Sequence, residues 1–366
     1  MHDLMCLSFL GRSARRGLLY VSDNQKILMK KIYVNLDEFK TKIVNSDEYC
    51  FICLEHNSSK SFNDEHVLPK WILKKFKLFD KTINLPNNSK FRYGQYVIPC
   101  CVDCNTRLSE VYEIPLSNLL KLPFDEIIEQ IKKDQKIIQK IYHWMSLIFI
   151  KTHIKTTLLK KFLNPKRGTG KIGDDIEWAY LHHIYLMSRV HYTNATVNND
   201  VYGSTLIFSA MNEDSNEGFD FVDSWVTRSI FIKIDEIAII CCLDDGKAGI
   251  SFISRWIDKL ESPLHPLQLK EILAHLGYIN LNLAERPTFQ SRHNKVHQII
   301  EANYPESPPS LVKKERQQFQ IGDILDFFAK SHYMPENKNN KNILAEIKAG
   351  TRGFLFDSDG KFYKMS

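Results

Sequence analysis

The sequence predicts an α+β protein: a cysteine-bounded metal module, a helical segment after it, and then a domain containing an antiparallel sheet. Three observations support this. Two Cys-x-x-Cys pairs, Cys50/Cys53 and Cys101/Cys104, bracket one stretch of chain. Over residues 116–163, apolar side chains recur at three- and four-residue steps with lysines opposite them, the period of an amphipathic helix. From Val201 the period becomes that of strands.

In chain order, residues 1–44 read as an N-terminal extension, whose first twenty residues are either disordered or an artefact of start-codon choice. The opening MHDLMCLSFLGRSARRGLLY has a short apolar run with no basic residue before it and arginines after it, the wrong order for a secretory signal. MKKIYVNLDEF, from Met29, reads as a natural beginning. Residues 45–115 form the cysteine-bounded unit. In residues 116–200, Pro123 and NPKRGTGK break the pattern into one short and one long helix, and a third helix near 174–190 starts with acidic residues. In residues 201–300, STLIFSA, FDFVDSWV, RSIFIKI, IAIICCL and AGISFIS read as strands, followed by a helix at HPLQLKEILAHLG. Residues 301–366 read as an irregular tail with a short helix, broken at YPESPPS and MPENKNNKN.

A chain that is 43% hydrophobic and 25% charged has the composition of a globular protein. The longest apolar run, WMSLIFI, is too short to span a bilayer, so no membrane partner is expected. Eight cysteines are too few for a disulfide scaffold, and their pairing is that of a metal site in a reducing compartment, which points to the cytoplasm. The formal charge of +6 is unevenly spread. Residues 132–171 hold 11 Lys or Arg against one Asp, and residues 70–121 hold 9 against 4 acids. Such a field suits a polyanion, nucleic acid before a membrane surface. GTGK lacks the length and the following Ser or Thr of a nucleotide loop.

Tetrahedral zinc takes four soft ligands, and a two-residue gap lets both sulfurs of a knuckle face one ion. Cys50 and Cys53 make the first knuckle. In the second, Cys101 has the two-residue gap to Cys104, whereas Cys100 has three. The pattern is C-x2-C-x47-C-x2-C, and the 47-residue insertion is longer than a zinc ribbon needs. His56 lies in a polar loop and is not needed as a ligand.

Cys-x-x-Cys, then Glu65-His66-Val67-Leu68-Pro69, then Cys-x-x-Cys-Asn105 resembles the zinc-stapled branch of the HNH endonucleases, over about residues 48–115. The resemblance implies a ββα-metal fold with a structural Zn2+ and a catalytic Mg2+ or Mn2+. It makes His66 the general base, Glu65 a ligand of the catalytic ion, and Asn105 the family's last H or N position. The chemistry needs these types: a neutral imidazole to take a proton from water, and hard oxygen ligands for the cation. On a continuous helix Asn105, Ser109 and Glu113 share a face, which makes Glu113 a further ligand or a residue that orients one. The middle asparagine falls among Asn84, Asn87 and Asn88.

Pro69 suits the first turn of a helix on which Lys70 and Lys74 share a face one turn from His66, and Arg107 lies on the helix after the second knuckle. These three are the candidate phosphate contacts, with DNA as partner. Free-standing proteins of this kind resemble restriction or phage-defence nucleases, acting as homo-oligomers or with a defence partner. The alternative is a non-catalytic zinc module that binds nucleic acid or protein.

Overall fold

The computed structural model describes residues 33–85, 87, 89–212, 218–294, 297–330 and 338–365. Most of the expected extension, the Met29 start and Asn88 lie outside them. The chain is α+β, with 45% helix and 20% strand.

Helix α1 (Leu36–Glu38), capped by the Asn35 side chain, runs into a π turn at Phe39–Val44. Strand β1 (Phe62–His66), helix α2 (Lys70–Lys75), strands β2 (Thr82–Asn84) and β3 (Lys90–Arg92), strand β4 (Val97–Cys101) and helix α3 (Val102–Leu108) make the cysteine-bounded unit. A π turn at Ser109–Glu113 leads to α4 (Ile114–Leu119), α5 (Phe124–Lys133), α6 (Lys136–Thr157), α7 (Trp178–Ser188) and α8 (Val190–Thr193). Strands β5 (Thr196–Val197), β6 (Thr205–Ser209), β7 (Phe219–Ser224), β8 (Ser229–Ile234) and β9 (Ile237–Cys242) follow. Helices α9 (Ala248–Ile257) and α10 (Pro266–Leu281), strands β10 (Thr288–His293) and β11 (Gln298–Asn303), and helices α11 (Ile321–Ala329) and α12 (Lys338–Lys348) complete the chain.

The antiparallel sheet expected after Val201 is present, in the order β6-β9-β8-β7. Its central strands are apolar at nearly every position because both faces are covered. Ile207, Ile230, Ile232, Ile237 and Ile239 face one core, shared with the cysteine unit and α6. Leu206, Phe208, Phe231, Ala238 and Ile240 face the other, shared with α9, α10, α11 and α12. Residues 33–44 join the first core through Val34, Phe39, Ile43 and Val44.

Helix α6 lies in the interior, with every residue from Ile141 to His153 buried. The basic segment is therefore not one continuous surface, as its composition suggested. Lys132, Lys133 and Lys136 are exposed at one end and Lys160, Lys166, Arg167 and Lys171 beyond the other. A 22-residue helix separates them by about 30 Å. The expected long helix is also interrupted, between α5 and α6.

Two sequence expectations fail locally. AGISFIS is helix α9, not a strand: Ile250, Ile253 and Ile257 follow helical spacing, and the Asp245 carboxylate accepts the Lys247 and Gly249 N–H groups at its start. The region after α10 is more ordered than expected, with the β10–β11 pair and two helices.

Ile232→Ala, facing the first core, and Ile240→Ala, facing the second, are each expected to lower stability by about 2–5 kcal/mol. Because one sheet serves both cores, urea unfolding followed by tryptophan fluorescence and by circular dichroism should shift together in each variant. A shift in one signal alone would mean that the two cores unfold separately.

Candidate metal centre and neighbouring histidine

Strands β1 and β4 pair antiparallel, from Phe62 opposite Cys101 to His66 opposite Val97. Facing residues share a side of the ladder. Asn63 and Glu65 thus lie on one side with Cys100 and Ile98, and Phe62, Asp64 and His66 on the other with Cys101, Pro99 and Val97. Cys101 is the N-cap of α3, so Cys104 returns one helical turn later.

The sulfurs of Cys50, Cys53, Cys101 and Cys104 all lie within 4.8 Å of one another and are buried. Those of Cys53 and Cys101 are 3.6 Å apart. Zinc–sulfur bonds of about 2.3 Å put tetrahedral sulfurs about 3.8 Å apart, so this set can hold a metal ion such as zinc. The first knuckle turns back at Leu54, whose φ is +62° and whose N–H reaches the Cys50 carbonyl at 2.9 Å. Its inner carbonyls are held from α7 and just beyond: the Tyr185 hydroxyl donates to Phe51 O at 3.0 Å, and the fully buried Arg189 donates Nε–H to Ile52 O at 2.6 Å. Cys100 is a fifth buried thiol, its sulfur 3.8 Å from that of Cys50. Hydrogen bonding to Cys50 and burial raise its pKa well above the ordinary thiol value.

At the far end of β1, Glu65 and His66 are only 5% and 9% exposed. Lys151, 1% exposed on α6, donates to Glu65 Oε1 at 2.6 Å and to the His66 carbonyl at 2.7 Å. The ammonium thus holds one carboxylate oxygen and the strand end together. The other oxygen, Oε2, has no partner among the described residues. His66 Nδ1 is buried and likewise without one. The Phe79 ring meets the imidazole edge-on, with centroids 5.9 Å apart. Burial, then the charge of Lys70, lowers the His66 pKa below its ordinary value, which favours the neutral ring.

Asn105 donates its amide N–H to Asn63 Oδ1 at 2.8 Å, on the Glu65 side of the ladder, which leaves Asn105 Oδ1 unbonded among the described residues. Glu113 ends the π turn after α3, a helix irregularity that concentrates at functional sites. Burial raises its carboxyl above the ordinary value, against the pull of Lys151, and Glu65 adds to the rise. Among the described residues, however, the four cysteines are the only group of three or more His, Cys, Asp or Glu ligand atoms gathered at metal-binding distance. Glu65, His66 and Glu113 do not form a second ready-made cage.

Lys70 and Lys74 are exposed on α2. Arg107 is not displayed in that way: its Nε–H donates to His191 O at 3.0 Å and an Nη to Asn194 Oδ1 at 3.4 Å, bracing α3 against the end of α8. Of the candidate middle asparagines, Asn84 is exposed and Asn87 donates to Lys160 O at 2.7 Å. It is Phe79 that meets the His66 ring.

Sequence reasoning missed Lys151, Tyr185 and Arg189. Lys151 had a signal, being the single Lys, Arg, Asp or Glu over residues 141–154, on an apolar stripe. Tyr185 and Arg189 had none, since their targets are backbone carbonyls more than a hundred residues away. Comparison of the chain with models of protein families, with curated proteins and with solved structures finds no match.

Elemental analysis of purified protein is expected to give one zinc per chain, with Cys53→Ser losing most of it and Cys100→Ser retaining it. Full loading of Cys53→Ser would remove that residue from the ligand set. Lys151→Met leaves a buried carboxylate unpaired and is expected to destabilise by about 3–5 kcal/mol in urea titrations, with Glu65→Leu in the same chain recovering part of the loss. No recovery in the double variant would mean that the two side chains do not act as a pair.

Proposed function

We propose that the chain is a metal-dependent endonuclease of the HNH type that hydrolyses phosphodiester bonds in DNA. The observation that most supports this is a buried imidazole with an unpaired Nδ1 at the end of a strand whose partner strand leads into the second cysteine knuckle. Buried polar atoms are normally satisfied. His183 and His191 also have unpaired nitrogens, but they pack against Phe289 and Tyr112 in the interior. The His66 ring is acted on by the charges of the exposed Lys70 and of the Glu65 carboxylate.

In this reading His66 takes the proton from a water lined up opposite the leaving 3′ oxygen. Lys70 and Lys74 hold backbone phosphates without reading sequence. Lys151 keeps Glu65 and the end of β1 in place, and Arg107 braces α3. Glu65 Oε2, Asn105 Oδ1 and Glu113 are the donors for a catalytic Mg2+ or Mn2+. They fit such an ion because Mg2+ is commonly held by one or two carboxylates and completed by substrate phosphate, not by an all-protein cage. When bound, the cation supplies positive charge to the phosphate oxygens and the leaving group. The sulfur-bound zinc is structural. Restriction or phage defence in the cytoplasm, alone, as a homo-oligomer or with a defence partner, is the setting that suits such a nuclease.

A second reading, a non-catalytic zinc module that binds nucleic acid or protein, is favoured by one observation: the Lys151 ammonium already sits on Glu65. Plasmid digestion separates the two. Nicking or cutting is expected with added Mg2+ or Mn2+, and His66→Ala is expected to slow it by about 10²- to 10⁴-fold with unchanged zinc content. Equal cutting by His66→Ala would exclude His66 as the base, and no cutting by the parent protein would favour the binding module.

A further inference from the structure

The insertion between the knuckles contains α2 and the β2–β3 ribbon, neither of which supplies a sulfur to the cluster. In the ribbon Thr82 faces Arg92, Ile83 faces Phe91, and Asn84 faces Lys90. The Ile83–Phe91 pair forms the inner side and packs on the first core. There the Phe91 ring lies 6.3 Å from that of Tyr96, and the Lys155 ammonium is 5.7 Å from the Phe91 ring centroid. Near the tip, Leu85 N–H reaches Ser89 O at 2.9 Å, and Asn87 is tied to the Lys160 carbonyl. The outer side is the reverse. Thr82, Asn84, Lys90 and Arg92 are all exposed, and among the described residues none of these side chains has a hydrogen-bond or ion-pair partner.

The ribbon is also joined directly to the histidine. Below the Thr82–Arg92 pair, Tyr93 N–H bonds to Lys81 O at 2.9 Å and Gly94 N–H to Phe79 O at 3.0 Å. Phe79 is the residue whose ring meets His66. Three residues separate Thr82 from Phe79, about 10 Å of strand. Over residues 70–94 there are seven Lys or Arg against one Asp.

From this geometry we infer that the outer side of the β2–β3 ribbon docks in a groove of double-stranded nucleic acid, with Lys90 and Arg92 on phosphates and Thr82 and Asn84 at base edges. The major groove of B-form DNA, about 12 Å wide, admits a two-stranded ribbon, and an asparagine amide matches the adenine edge there. The inner side and tip are anchored, so little order is lost when the outer side binds. The inference rests on the nucleic-acid reading given above but not on cleavage.

The test is binding of a fluorescein-labelled duplex, followed by anisotropy, with the full-length His66→Ala chain and no added divalent cation. Lys90→Ala/Arg92→Ala is expected to weaken binding at least tenfold and to flatten the slope of log K against log salt by about 1.8, the value for two lost phosphate contacts. Thr82→Ala/Asn84→Ala should narrow the difference between duplex sequences and leave the salt slope unchanged. Lys90→Arg should bind as the parent does, and zinc content with circular dichroism controls for misfolding. Unchanged affinity and slope in Lys90→Ala/Arg92→Ala, equal loss of binding to single strands, or no duplex binding by the parent would each overturn the inference. Duplex binding that depends on Lys90 and Arg92, together with no plasmid cutting by the chain with His66 intact and Mg2+ added, would support the ribbon and end the nuclease reading. Normal cutting by Lys90→Ala/Arg92→Ala with His66 intact and Mg2+ added, alongside normal duplex binding, would do the opposite.

Discussion

The buried ion pair between Lys151 and Glu65 joins the two parts of the molecule on which the candidate site depends. A charge that is 1% exposed is tolerated only when a partner and hydrogen bonds offset its desolvation, and Lys151 has both in Glu65 Oε1 and the His66 carbonyl. The pair fixes the end of β1 relative to α6, a helix buried at every residue from Ile141 to His153. Because β1 also pairs with β4, and β4 delivers Cys101 to the cluster, the placement of His66 follows from packing at one end and sulfur geometry at the other.

The same principle extends outward. The sheet β6-β9-β8-β7 closes the core around α6 on one face and the core of α9 and α10 on the other. The cysteine unit is thus backed by α6, and α6 in turn by a sheet that a second helical layer supports. The rest of the chain thus supplies packing around the buried Lys151 and Glu65.

The short-range features were legible in the sequence. Cysteine spacing fixes a knuckle locally, and the strands β6, β8 and β9 announce themselves as apolar runs. The four-cysteine set, including Cys101 over Cys100, follows from a two-residue gap and is the set whose sulfurs converge. The failures are cases where distant partners decide. AGISFIS looks like a strand until Asp245 caps it as a helix. The basic stretch looks like a surface until its middle is seen to form the interior. The contacts of Arg107 to the His191 carbonyl and Asn194 Oδ1 are likewise made to residues more than eighty positions away. No window around these residues contains the group that settles their role.

The brace on the first knuckle bears on how the protein is made. Phe51 and Ile52 are held by side chains 134 and 137 positions further along the chain. At translation speeds of about 5–20 residues per second, those side chains leave the ribosome about 7–27 seconds after the knuckle does. All four thiols therefore emerge well before Tyr185 and Arg189, the side chains that brace the knuckle.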